Sequence, residues 1–196
     1  MDSNTPAGRV TASTAAWHDD GPVIAVDEHD NELGEVSRTD AHDGEGILHR
    51  AFMTLLVDAE GRLLLARRSP FKRLWALAWA DSCAGHPRPG ESVIDAARRR
   101  VGEELGCTCE LRSIGSFAYH AQLPGAGSER ELCHVLVGRA TGPLDPDPAE
   151  VAEVGVFRLA DLDIEMRDRS DDYAPWLVAC LRELPLCALA AMEEFE

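Results

Sequence analysis

The apolar positions of this chain come in short alternating runs separated by polar turns, and they become helical only near two places. Residues 22–38, PVIAVDEHDNELGEVSR, alternate and break at Asp30-Asn31, which predicts a hairpin. Residues 47–68 hold two apolar strands around the turn Asp58-Ala59-Glu60-Gly61. A short aromatic strand is expected over 74–80. A helix then runs from about Glu91 to Leu105 and stops at Gly106, which takes positive φ without a Cβ clash. Further strands are expected near 110–121, 130–140 and 151–158, split by Gly- and Pro-rich loops at 124–127 and 142–148. From Asp171 onward the chain reads as helix, apolar at Trp176, Leu177, Cys180, Leu181 and Leu184. Strands dominate the middle and helices flank them, so the expected class is α+β, a mixed β-sheet sandwiched by α-helices.

Composition narrows this picture. A chain of 196 residues that is 45% hydrophobic supports one compact domain, expected over 21–196 behind a flexible segment 1–20. No apolar run is long enough to span a membrane. The N-terminus lacks the basic and apolar regions of a secretory signal. Cys83, Cys107, Cys109, Cys133, Cys180 and Cys187 form no CxxC pair, which suits reduced thiols and a cytoplasmic location. The net charge of −16 argues against a nucleic-acid partner. An anionic small substrate would need divalent cations and a local basic cluster to overcome that field.

Candidate chemistry centres on Gly85–Cys107, GHPRPGESVIDAARRRVGEELGC. It resembles the Nudix box G-x5-E-x7-R-E-U-x-E-E-x-G-U, where U is a bulky aliphatic. Glu91, Arg99, Glu103, Glu104 and Gly106 match, Arg100 stands where the pattern asks for Glu, and Cys107 fills the last aliphatic slot. Five other residues have the chemistry of ligands: His42, His49, His86, Glu129 and Glu131. Glu129 and Glu131 are two apart on a predicted strand and so share a face. Imidazole with carboxylate suits Mn, Zn or Fe, with Mg also open. Any one such His is ordinarily a solvated loop residue.

The strings LHRAF, RRSPFKRLWALAWADSCAGHP and ERELC, with the arginine-bearing box, resemble type I isopentenyl diphosphate isomerase from about His42 to Trp176. This resemblance implies a Nudix-type fold and a metal-dependent intramolecular isomerase of isoprenoid biosynthesis. The substrate would be a prenyl diphosphate, the protein a monomer or homodimer. It implies that His42, His49, His86, Glu129 and Glu131 hold one divalent ion (Mn²⁺, Zn²⁺ or Mg²⁺). It also implies that Glu104 helps bind a Mg²⁺ bridging the diphosphate. Arg68, Lys72 and Arg100 match the diphosphate clamp, and Arg38 stands where the family has a Lys of that clamp; the alternative is that the basic residues near 67–73 are a solvated patch. Glu131 with Tyr119 matches the acid on one face of the alkene. Trp176 matches the aromatic residue that stabilises the carbocation, although its position also suits the core of an amphipathic helix.

Four further positions depart from the family. Its Cys on the opposite face is replaced by Ala84, Ala76-Leu77 replaces a Pro-Gly pair, and Asp81 replaces an Asn. The chain then reads as an isomerase with a Cys-to-Ala substitution, or as one in which Cys83, Asp81 or water takes over. Cys83 would need a local bulge to turn towards the site. A diverged enzyme is a further reading, with protonation leading to rearrangement or cyclisation. Others are a Nudix pyrophosphohydrolase, disfavoured by Arg100, and an inactive prenyl-diphosphate-binding protein. Glu150 and Glu153 either edge the pocket or begin a solvated strand.

Overall fold

The computed structural model describes residues 21–183; the expected lead-in 1–20 and the tail carrying Leu184 and Cys187 lie outside the described residues. The first hairpin pairs β1 (Val23–Val26) with β2 (Glu32–Val36). Its turn is held by Asp27, whose Oδ1 accepts from the backbone N–H groups of His29 and Asn31, the side-chain mimicry that makes Asp a turn former. The connection that follows is a short helix, α1 (Arg38–His42), capped by Ser37. His42 therefore sits on a helix end and not in an irregular polar link.

The centre of the molecule is β3 (His49–Val57), buried on both faces from Ala51 to Val57. It pairs in parallel with β8 (Gly127–Thr141) along one edge, from His49↔Glu131 to Val57↔Arg139. Along the other edge it meets β1, then β6 (Cys83–Gly85), then β4 (Leu63–Arg68). β7 (Thr108–Leu123) forms a long hairpin with β8, while β9 (Val151–Phe157) and β5 (Trp79–Ala80) pair with β4. Helix α2 (Val93–Leu105) covers one face over Phe52, Leu56 and Leu136. Helices α3 (Leu159–Asp168) and α4 (Pro175–Glu183) cover the other over Met53, Leu55, Val135 and Val137. Alternation along β3 assigns even residues to the α2 side and odd residues to the α3–α4 side. The result is the expected mixed sheet between helices.

Three local expectations change. The aromatic strand over 74–80 contracts to two residues, because Trp75 and Leu77 take φ of 46° and 64°, incompatible with extended backbone. Helix α2 starts at Val93, since Ser92 Oγ accepts from the Asp95 N–H and caps it. The C-terminal helix starts at Pro175, a residue pre-set for the first turn, and α3 precedes it without having been expected. No described helix is long and apolar enough to cross a membrane, and the five described cysteines are free.

Candidate active site and metal centre

The strand register assembles the site. Pairing His49 with Glu131, and Met53 with Ala84, places β3, β6 and β8 side by side. The residues that share the α3–α4 face then include His49, Ala84 and Glu131. His86 follows Ala84 by two and returns to the same face. His42 comes from the end of α1. These elements border a cavity of about 400 Å³, closed on the far side by Trp176 of α4 and by the β4–β5 connection.

His42, His49, His86 and Glu131 offer ligand atoms that all lie within 4.8 Å of one another. The Nε2 atoms of His49 and His86 are 3.0 Å apart, and Glu131 Oε1 is 3.1 Å from His86 Nε2 and 3.6 Å from His49 Nε2. His42 Nε2 lies 2.9 Å from Glu129 Oε2, a buried oxygen with no aligned hydrogen bond. Such separations are those of neighbouring ligands around an ion with bonds of about 2.1 Å. Tautomers point the same way. His42 Nδ1 is 2.7 Å from the Arg38 carbonyl oxygen and His49 Nδ1 is 2.7 Å from that of Ile47. Each Nδ1–H donates to a carbonyl, which turns Nε2 inward, the usual arrangement behind a metal-bound imidazole once that nitrogen has lost its proton. Burial, then the neighbouring His49 and the Arg38 charge, hold the His86 pKa well below its ordinary value, so His86 is neutral. His42, His49, His86 and Glu131 therefore fit a divalent cation, and Glu129 lies beside them against His42 but outside that set of four.

Gly127 holds this arrangement in place. It takes φ of 137°, and a Cβ there would overlap the His42 carbonyl oxygen. Gly127→Ala is expected to destabilise the fold by about 2–3 kcal/mol through strain and displacement of α1. Urea unfolding with and without Mn²⁺ checks this, and the gain in stability from the metal should shrink as well.

Tyr119 faces Glu131 directly across the β7–β8 pair, and its hydroxyl donates to Glu131 Oε2 at 2.5 Å. Burial, then the Glu131 charge, push the phenol pKa well above 10, so it remains a donor. Burial opposes ionisation of Glu131, but hydrogen bonding with His49 and Tyr119 and the charge of His49 outweigh it and lower its pKa.

The basic residues are engaged with acids. Lys72 pairs with Glu150. Arg100 reaches Glu103 at 2.8 Å, Glu104 at 2.5 Å and Glu150 at 3.3 Å. Burial works against the charge of Glu150, but Lys72 and Arg100 hold its pKa down to about 2. Glu150 thus lines the cavity, whereas Glu153 is exposed beside Arg67. Arg68 donates to the Leu74 carbonyl oxygen and stacks 5.0 Å over the Trp176 ring, and Arg38 also borders the cavity. Glu104 is buried beneath Arg100 and is not itself a lining residue. The box carboxylates are all taken by arginine: Glu91 receives two hydrogen bonds from Arg99, at 2.8 and 2.9 Å.

Ala84 lines the cavity, but Cys83 does not. The pairing of β6 with β3 is regular, with Thr54 opposite Cys83, so no bulge turns the thiol towards the site. Cys83 is buried with Leu56, Val101 and Leu105 beneath α2, and burial pushes its pKa well above 9. Its expected role as a substitute for the family's Cys is therefore corrected. Asp81 also lies behind the wall, 1% exposed, where Oδ1 accepts from Trp176 Nε1–H at 2.7 Å. Trp176 is both a core residue and a cavity wall, which joins the two readings of its position. Cys133 is a lining residue the sequence reading passed over, although its place two after Glu131 on one strand carried the signal.

Burial is the largest influence on Asp81 and raises its pKa from 3.8 to about 7. The native state therefore favours the neutral acid. The associated stability is complete below about pH 3.8 and is lost as pH rises through about 7. Wild type should lose up to about 4 kcal/mol more stability than Asp81→Asn between pH 4 and pH 8, measurable by denaturant melts at both pH values.

Comparison with known proteins agrees with this architecture. The NUDIX domain family matches residues 47–177. The chain is 42% identical over 161 residues to the isopentenyl-diphosphate Delta-isomerase of Nocardia farcinica (strain IFM 10152), covering 82% of this chain and 92% of that one. It is 39% identical over 165 residues to isopentenyl-diphosphate Delta-isomerase 2 of Aromatoleum aromaticum (strain DSM 19018 / LMG 30748 / EbN1), covering 84% and 87%. In fold it is similar to the crystal structure of DR0079 from Deinococcus radiodurans, with a TM-score of 0.61, 24% identity and 76% and 90% coverage. A MutT protein from Methanosarcina mazei Go1 shares the fold at a TM-score of 0.54 and 19% identity, with 75% and 94% coverage.

Proposed function

The chain belongs to the isopentenyl-diphosphate Delta-isomerase family of NUDIX-domain proteins, and from this premise we propose that it converts isopentenyl diphosphate to dimethylallyl diphosphate. The observation that carries the proposal is the Tyr119–Glu131 hydrogen bond beside the three-histidine cluster on the wall of a cavity of about 400 Å³. That volume suits a small ligand.

The reaction adds a proton to the terminal methylene and removes one from C2, through a tertiary cation. Glu131, supported by Tyr119, is placed to deliver the first proton once it has taken one up from solvent, since its resting form is the carboxylate. Ala84 on the β6 side offers no ionisable atom, so removal of the second proton is left to solvent. Trp176 presents its ring face to the cavity where the cation would form. The ring also excludes water from one side and disfavours capture of the cation as an alcohol.

The three imidazoles and two carboxylates favour Mn²⁺ or Zn²⁺, with Mg²⁺ the harder alternative. A bound divalent ion supplies positive charge that offsets two buried carboxylates and polarises Glu131. The diphosphate would meet Arg38, Arg68, Lys72 and Arg100. Since Glu104 and Glu150 already occupy Lys72 and Arg100, a Mg²⁺ near Glu104 would allow acids and phosphates to share that end of the site. Pyrophosphohydrolysis is disfavoured because Glu91, Glu103 and Glu104 are all paired with arginine.

The test is isomerase turnover by the metal-stripped protein after addition of Mn²⁺, Zn²⁺ or Mg²⁺, with free phosphate and pyrophosphate measured in parallel. Metal-restored formation of the allylic diphosphate supports the proposal. Metal-dependent phosphate or pyrophosphate release without it would favour hydrolysis.

A further inference from the structure

We propose that Asp81 is a positioning residue acting through Trp176: its carboxylate, hydrogen-bonded behind the indole, strengthens the affinity of the cavity-facing ring for positive charge. This rests on the cation-stabilising role given to Trp176 above.

The geometry carries the argument. Asp81 sits in the connection between β5 and β6 and is 1% exposed. Oδ1 accepts from the indole N–H at 2.7 Å, while Oδ2 is buried with no hydrogen-bond partner. Satisfying an indole N–H needs only an acceptor, which an amide also provides. A carboxylate adds charge in a place where charge is costly. Burial accordingly raises the acid towards neutrality, to about 7, and Glu104 adds to the effect while Trp176 and Arg68 oppose it. An anion bonded to an indole N–H pushes electron density into the ring and deepens the negative potential on its face. The ring already attracts a cation, the Arg68 guanidinium at 5.0 Å from its centroid. Trp75 packs edge-on at 5.6 Å, which fixes the ring orientation.

Two diphosphate esters of the same shape test this: 2-(trimethylammonio)ethyl diphosphate, permanently cationic at its tip, and 3,3-dimethylbutyl diphosphate, with carbon in place of nitrogen. Calorimetry with Mg²⁺ gives the ratio of their affinities. We expect wild type to prefer the cationic ester by about tenfold. Asp81→Asn should bring the preference to about twofold with little change for the neutral ester. In a Trp176→Phe background the same substitution should leave the ratio unchanged.

A second measurement keeps Asp81 in place. The wild-type ratio should rise between pH 6 and pH 8 as the carboxyl ionises. The groups bearing on it are Trp176 and Cys180 on α4, Arg68 on β4, Glu104 on α2, Cys83 on β6 and Cys133 on β8. Burial keeps the three thiols protonated over this range.

A ratio that Asp81→Asn leaves intact, or both affinities falling by one factor, would overturn the proposal, as would an effect that persists without Trp176 or a ratio flat in pH. A wild-type cavity indifferent to the charge of the ester would contradict the cation-binding role of Trp176 itself, and the inference with it.

Discussion

Ala84→Cys will convert isopentenyl diphosphate at least about a hundredfold faster than wild type, the lower end of what a positioned acid–base group contributes. Position 84 lies on β6 opposite Met53, and its side chain already lines the cavity. Ala84 packs at the edge of the core, and the added sulfur would extend towards the cavity that the residue lines. It would give the site a second ionisable group on the face remote from Tyr119–Glu131. Initial rates of dimethylallyl diphosphate formation for the two proteins check this. Equal rates would mean that the second proton transfer is already served by another group.

Glu131→Gln will lower turnover by about a thousandfold or more, because two roles are removed together. The amide cannot deliver a proton to the alkene, a role worth about a hundredfold to ten-thousandfold. It is also a poorer ligand beside His49 and His86. Tyr119 still finds an oxygen acceptor in the amide, so the fold should be kept. Circular dichroism and metal analysis alongside the rate separate the two losses. Glu131→Asp keeps the acid but shortens it, and should recover metal content more than rate.

Much of this site was legible because strand periodicity and pairing are nearly the whole of its geometry. Glu129 and Glu131 share a face by spacing alone. His49 and Tyr119 meet Glu131 because each is its register partner. What pattern could not supply is register itself, since that depends on pairing between distant segments. The fate of Cys83 turned on this: only the regular pairing of β6 with β3 shows that it faces α2. The contracted strand at 74–80 was hidden for a different reason. Trp75 and Leu77 adopt positive φ against their own preference; Trp75 packs edge-on to Trp176, and the Leu77 backbone is hydrogen-bonded to Arg68 and Arg67 of β4. The role of Glu150 was ambiguous because its partners, Lys72 and Arg100, lie 78 and 50 positions away in the chain.

Helix α3 escaped notice because its apolar side is thin, Leu159, Leu162 and Met166 among acidic neighbours. The box helix was plain from sequence, but the arginine pairing of its acids was not. That pairing depends on rotamers.

The most direct measurement is proton and deuterium NMR of isopentenyl diphosphate incubated with the protein, Mn²⁺ and Mg²⁺ in D₂O. The account predicts dimethylallyl diphosphate carrying deuterium in a methyl group, with both phosphates retained. Substrate recovered unlabelled and unchanged, or cleaved at the diphosphate, would contradict it.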